Sequence, residues 1–89
     1  MARAADDKKY TTEVVAYDKG GNPASGRKVC LGFTGFLGGM SENAYTDSSG
    51  VATIHHASKG EVKVYVDGDW SSHKTKGRAP GRINVYLKK

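Results

Sequence analysis

The chain has 89 residues, a formal net charge of +5 and hydrophobic side chains at 37% of its positions. This length holds one domain with a thin core, and the apolar content is too high for a disordered chain. No stretch approaches the roughly 18 apolar residues of a membrane-spanning helix, and the single cysteine, Cys30, excludes an intrachain disulfide.

The start of the chain, MARAADDKK, has charged residues where a secretory signal needs an apolar run. The sequence as written therefore predicts a cytoplasmic protein, or a cell-surface or secreted one if the domain is excised from a larger protein. Its charge is uneven, because residues 1–70 sum to −1 and residues 71–89 hold six Lys and Arg with no acidic residue. The basic character belongs to the last fifth of the chain.

In chain order, residues 1–9 are polar and predict a disordered tail, and residues 10–89 predict a single domain. From residue 10 onward apolar side chains recur at every second position, as in GEVKVYV (60–66), which is typical of half-buried antiparallel strands. No segment has a helical period. Turn-forming segments such as DKGGNP, TDSSG and GRAPG separate the runs. The pattern predicts strands over residues 10–17, 27–34, 41–46, 51–56, 60–66, 70–75 and 82–88.

Seven short alternating strands in fewer than 100 residues predict an all-β fold, a two-sheet antiparallel sandwich. The inward positions of the strands predict the core. These are Val14, Ala16, Val29, Leu31, Phe33, Ala52, Ile54, Val62, Val64, Val66, Ile83, Val85 and Leu87.

Three segments, VVAYDKGGNPASGRKVCLGF, YTDSSGVATI and KGEVKVYVDG, resemble the recurrent pattern of bacterial Ig-like and transthyretin-like modules. These modules include invasin-type repeats and carboxypeptidase-regulatory domains. The resemblance spans roughly residues 12–68, and the chain after Gly68 does not follow the pattern clearly. It implies an Ig-like or transthyretin-like sandwich that serves in spacing, display, adhesion or chaperoning of a neighbouring domain, and rarely in chemistry.

The glycine-rich stretch FTGFLGGM (33–40) is not a phosphate-binding loop, because no Lys follows its glycines and no helical pattern begins there. It either links two strands and covers one end of the sandwich or forms an exposed apolar tip, with a membrane-inserting finger as the third alternative. In the second case Phe36 and Leu37 are candidate contacts with a protein partner.

The sequence predicts no catalytic, metal or cofactor site. His55 and His56 are adjacent on a predicted strand and so point to opposite faces, and no second cysteine supports a zinc site. Asp67 and Asp69 lie in a segment too short for an EF-hand and without its final Glu. Cys30 is expected to be a small packing residue, although a histidine in contact with it would suggest a nucleophile.

Two further surfaces are candidate sites. Outward-facing Tyr65 and Tyr86, with Trp70 nearby in chain order, either pair across strands or form a platform for a partner protein or a sugar. The segment 70–82 either is ordinary solvated surface or binds anions through the cationic residues Lys74, Lys76, Arg78 and Arg82. The first interpretation of function is therefore a non-catalytic module that presents loops to a protein partner. The alternative is binding of a polyanion, nucleic acid or acidic polysaccharide, through residues 71–82.

Overall fold

The structure, a computed structural model, describes residues 9–35 and 38–88. Its seven strands are β1 (Tyr10–Tyr17), β2 (Lys28–Phe33), β3 (Ala44–Tyr45), β4 (Val51–His56), β5 (Gly60–Val66), β6 (Lys76–Ala79) and β7 (Gly81–Tyr86). They form a three-stranded sheet in the order β4-β1-β7 and a four-stranded sheet in the order β3-β2-β5-β6. The predicted all-β, two-sheet sandwich is confirmed. Most of the predicted tail lies outside the described residues.

One strand pair departs from the predicted antiparallel arrangement. β1 and β7 are parallel neighbours, in register from Thr12 opposite Gly81 to Tyr17 opposite Tyr86. The other pairs, β1 with β4, β2 with β3, β2 with β5 and β5 with β6, are antiparallel. Alternation within a strand fixes which face is buried, and it carries no information on the direction of the strand's neighbour.

The core lies between the two sheets and is lined by the predicted alternating positions. All the predicted core residues are buried except Phe33, which is partly buried and packs on the edge of the cluster. The Phe33 ring contacts His56, with ring centroids 5.5 Å apart. Ala24 and Ala79, which the alternation did not identify, complete the cluster.

The predicted strand over residues 70–75 is wrong, and the strand lies instead at β6. Residues 70–75 form a loop held by local hydrogen bonds to Asp69. The Ser72 amide donates to the Asp69 carboxylate at 3.2 Å, and His73 Nε2 donates to the Asp69 carbonyl at 3.0 Å. Short polar side chains that bond to nearby groups in this way compete with strand pairing.

A buried polar pair, Thr12 and His56, joins β1 and β4 at one end of the core. Both residues are almost inaccessible to solvent, and Thr12 Oγ1 lies 2.7 Å from His56 Nε2. His56 Nδ1 lies 2.7 Å from the Ser58 carbonyl, which can only accept, so Nδ1 carries the proton. Nε2 is then free to accept the hydrogen bond of the Thr12 hydroxyl.

Thr12→Val is expected to lower the free energy of unfolding by about 1–3 kcal/mol, because it leaves His56 Nε2 buried without a donor. Urea unfolding of the two proteins measures the difference. Thr11→Val is a matched control, since Thr11 and His55 make the same kind of contact, at 3.1 Å, between the same strands on the exposed face. The control is expected to change the free energy by no more than about 0.5 kcal/mol. Equal losses in both variants would contradict the role given to burial.

Candidate functional site

The outer face of the four-stranded sheet collects cationic and aromatic side chains from β5 and β6. Val62, Val64 and Val66 of β5 point into the core, so the alternate residues Lys63 and Tyr65 point outward. In register, Lys63 lies opposite Lys76 and Glu61 lies opposite Arg78. The β5–β6 part of this face therefore carries three cationic side chains and one carboxylate.

Trp70 is held at this face by a hydrogen bond of its indole N–H and by two cations over its ring. The indole N–H donates to the Thr75 carbonyl at 2.9 Å. The ammonium groups of Lys63 and Lys76 lie 4.4 Å and 6.0 Å from the centre of the Trp70 ring system. Cations at these distances are attracted to an aromatic face. The half-buried Trp70 is thus fixed beside two positive charges on neighbouring strands.

The Tyr65 ring packs against Gly32 of the neighbouring strand β2. A Cβ atom placed on Gly32 would come within 2.8 Å of the Tyr65 ring and 3.2 Å of Met40 Sδ. A glycine here lets the ring cover the strand backbone, as aromatic residues do over glycines in sheets. Beside the ring is an open groove of about 310 Å³, lined by Lys28, Cys30, Met40, Asn43, Tyr65 and Gly68. The side chains Lys63, Tyr65, Trp70, Lys76 and Arg78 are together called the Trp70 face.

The predicted anion-binding residues do not all lie on the same sheet. Lys76 and Arg78 lie side by side on β6 and are exposed, and Lys74 is exposed in the preceding loop. Arg82 belongs to β7 in the other sheet, where its guanidinium pairs with Glu13 at 2.9 Å. The predicted basic cluster is therefore two groups, and Arg82 is not part of the Trp70 face.

The predicted partner-binding residues are also divided. Tyr65 and Trp70 share the Trp70 face. Tyr86 lies on the outer face of the three-stranded sheet, stacked on Tyr17 with ring centroids 5.2 Å apart. Phe36 and Leu37 lie outside the described residues. The three aromatic residues thus do not form one platform.

Lys63 is a candidate site residue that the sequence interpretation missed. Its outward position was apparent from the alternation of GEVKVYV, but its neighbours were not. The chain reverses at Asp67 and Gly68, where the backbone groups of Val66 and Asp69 bond to each other at 2.9 and 3.0 Å. This turn is the signal that could have indicated that Trp70 returns toward β5.

The histidines and the cysteine have partners within the domain. Cys30 Sγ donates to the Ser41 carbonyl at 3.2 Å, and His73 Nδ1 accepts from the Thr75 amide at 3.1 Å. His55 is exposed and His56 is buried, so the two side chains lie on opposite faces of the strand, as predicted. Among the described residues there is no group of three or more His, Cys, Asp or Glu that could hold a metal ion.

Comparison with known proteins bears on the fold. No protein-family model and no curated protein matches the chain. Among solved structures, the chain is similar to the crystal structure of a DUF3823 family protein from Parabacteroides merdae, with a TM-score of 0.55 and 9% sequence identity. The match covers 88% of this chain and 46% of that one, so this chain spans about half the length of that protein. At this identity the likeness shows a shared β-sandwich fold.

The described part of the chain contains no helix with the length and apolar character needed to cross a membrane.

Proposed function

We propose that this chain is a non-catalytic β-sandwich module that binds an acidic segment of a protein partner, or of a neighbouring domain, through the Trp70 face. The observation that carries the proposal is the contact of the Trp70 ring with the ammonium groups of Lys63 and Lys76. Tryptophan, tyrosine and arginine contribute most often to the residues that dominate binding energy at protein interfaces. The Trp70 face has one of each, on a rigid sheet.

The proposed module type is the Ig-like or transthyretin-like sandwich. Two features support it: the three matching segments between residues 12 and 68, and the arrangement of seven strands in sheets of three and four. Such scaffolds hold binding surfaces in place, so function depends on the residues that each surface carries.

The absence of catalysis in this proposal is supported by the partners of the reactive side chains. A cysteine nucleophile needs a base within hydrogen-bond reach. Cys30 Sγ instead lies near the carbonyl and hydroxyl of Ser41, at 3.2 and 3.7 Å. His56 is bonded to Thr12 and Ser58, inside the core.

The charge of the Trp70 face supports an acidic partner. Lys63, Lys76 and Arg78 outnumber the single carboxylate of β5 and β6, Glu61. Glu61 already accepts a hydrogen bond from the Thr34 hydroxyl at 3.2 Å. Complementary charges raise the association rate and select against basic partners.

Binding of a polyanion is the second candidate, because the same three cations are spaced along two adjacent strands beside an aromatic ring. Phosphates or sulfates would contact the cations, and a base or sugar would stack on Trp70. This function would involve Lys76 and Arg78 from the predicted basic segment and Lys63 from outside it.

An NMR titration of the isotope-labelled chain tests both candidates. The probes are an oligo-glutamate peptide, a short DNA duplex and a sulfated oligosaccharide, each at low and moderate salt. The peptide is expected to shift the amides of Lys63, Tyr65, Lys76 and Arg78 and the indole N–H of Trp70. Trp70→Ala is expected to raise the dissociation constant roughly tenfold, since it removes the aromatic contact and releases both lysines.

Tyr86→Ala is the matched control, because it removes an exposed aromatic ring from the opposite sheet and should leave the affinity unchanged. Shifts with DNA or the sulfated oligosaccharide, but none with the peptide, would favour the polyanion candidate. No shifts on the Trp70 face with any probe at low salt would contradict both.

A further inference from the structure

A groove on the outer face of the four-stranded sheet lies next to the Trp70 face and shares Tyr65 with it. Cys30, which is opposite Tyr65 on the neighbouring strand, forms the floor of the groove and is only 9% exposed. The Cys30 thiol donates to the Ser41 carbonyl at 3.2 Å. Because its one proton is already bonded, this side chain offers a partner no hydrogen-bond donor.

Met40 gives the groove an exposed apolar wall. Its side chain is 61% exposed, and its Sδ and the Tyr65 ring approach the same point above Gly32. A methionine side chain is flexible and polarizable, so it adapts to the shape of an apolar group. The six residues that line the groove include one cation, Lys28, and no carboxylate. The volume of about 310 Å³ is at the lower end of the range for small-molecule sites, which suits a single large side chain.

Two lysines flank the groove along the direction of β2. Lys28 precedes Cys30 by two residues on the same face of the strand, which places their Cα atoms about 7 Å apart. Lys63 lies opposite Gly32, two residues beyond Cys30, and is thus a diagonal neighbour of Cys30 at about 7–8 Å. Lys28, the groove and Lys63 therefore follow one another along the strand, with the apolar groove between the two positive charges.

The carboxylate beside Lys28 is held by other groups. Asp67 Oδ2 lies 2.7 Å from Arg27 Nε, and Asp67 Oδ1 accepts a hydrogen bond from the Lys28 amide at 3.1 Å. The charge of Asp67 is thus balanced by Arg27 rather than by the Lys28 ammonium. Positive charge is therefore present at both ends of the groove.

We propose that the acidic partner segment binds in an extended conformation and places one large apolar side chain in the groove, with an acidic residue two positions away on each side. This inference rests on the proposed function and narrows the partner to one sequence pattern: acidic, any, apolar, any, acidic. In an extended chain, residues two positions apart point the same way at about 7 Å, which matches the spacing of Lys28, Cys30 and Lys63. Burial of the apolar side chain supplies affinity, and the two lysines fix its register.

Three capped peptides test the pattern by NMR titration of the isotope-labelled chain: Glu-Ser-Leu-Ser-Glu, its isomer Ser-Glu-Leu-Glu-Ser and oligo-glutamate. In an extended conformation the isomer presents its leucine and its acidic residues on opposite sides, although its composition and charge are the same. The first peptide is expected to bind about tenfold more tightly than the isomer, because burying much of a leucine side chain contributes a factor of this size. It should shift the Met40 methyl group, the Asn43 side-chain amide and the Cys30 amide, which the isomer should not shift.

Met40→Ala should weaken binding of Glu-Ser-Leu-Ser-Glu several-fold, because it removes the apolar wall of the groove. Tyr86→Ala is the matched control, since it removes a side chain of similar exposure, 60% against 61%, from the opposite sheet and should not alter the affinity. Equal affinities of the two isomers, with shifts confined to the Trp70 face, would overturn this inference and leave the proposed function standing. No shifts on the Trp70 face with any of the three peptides would contradict the proposed function and this inference with it.

Discussion

Leu31→Ala is expected to reduce the free energy of unfolding by about 2–5 kcal/mol. Leu31 lies in the middle of β2, is fully buried and faces Val64 across the strand pair. The substitution removes the free energy gained by burying the terminal carbons of Leu31. It also leaves a cavity between the two sheets that the surrounding side chains fill only in part. A domain of this length has a free energy of unfolding of about 4–13 kcal/mol. The variant should therefore unfold at a much lower urea concentration, with little change in the slope of the transition.

Met40→Ala is the control for this loss, because it shortens a side chain of similar size that is 61% exposed. Surface replacements away from special contacts change stability by no more than about 0.5 kcal/mol. A loss at Met40 as large as that at Leu31 would show that the core is not where the alternation of the strands places it.

Six of the seven strands and most of the core could be predicted because both depend on local sequence. Period-two alternation in β2, β4, β5 and β7 directly identifies the side chains that face the opposite sheet. Phe33 was misjudged because it ends its strand, where the sandwich no longer covers a whole side chain. Ala24 lies outside the strands and gives no periodic signal.

The relative direction of β1 and β7 could not be predicted, because it depends on contacts distant in sequence. The loop over residues 70–75 could not be predicted either, because it depends on side-chain hydrogen bonds. β1 and β7 are separated by most of the chain, and alternation is the same in parallel and antiparallel pairs. The sequence of residues 70–75 is compatible with a strand. The hydrogen bonds from Ser72 and His73 to Asp69, which hold the loop, are visible only in the structure.

The Trp70 face could be predicted only in part for the same reason. The sequence identifies Tyr65 as an outward aromatic residue with Trp70 nearby in chain order, and Lys76 and Arg78 as cations in a basic segment. Only the pairing of β5 with β6 shows that these residues share one face. The same pairing places Lys63 opposite Lys76, whereas Arg82 lies on the other sheet with Glu13. Proximity in sequence predicted one basic cluster, whereas strand pairing determines which charges are neighbours.

Gly50→Ala is expected to lower the free energy of unfolding by roughly 2–5 kcal/mol. The loss has two causes, backbone strain at a positive φ and close contacts of the added Cβ atom. Gly50 ends the TDSSG turn with a φ of +79°, where a side chain is strained. A Cβ atom there would also lie 2.6 Å from the Ala16 carbonyl oxygen and 3.2 Å from the Ala24 amide nitrogen. These are backbone atoms of β1 and of the segment after it, and they cannot move aside without breaking the bond from the Ala16 amide to the Gly50 carbonyl. Thermal and urea unfolding measure the loss.

Gly26→Ala separates the backbone strain from the close contacts of the Cβ atom. Gly26 has nearly the same φ, +72°, but a Cβ atom there would meet nothing within 4 Å. Replacing Gly26 should lower the free energy of unfolding only through backbone strain, by about 1–2 kcal/mol. The difference between the two variants then measures how tightly the turn after β3 is packed against β1. If both lose the same amount, strain at positive φ explains the whole effect and the close approach of the two backbones contributes nothing.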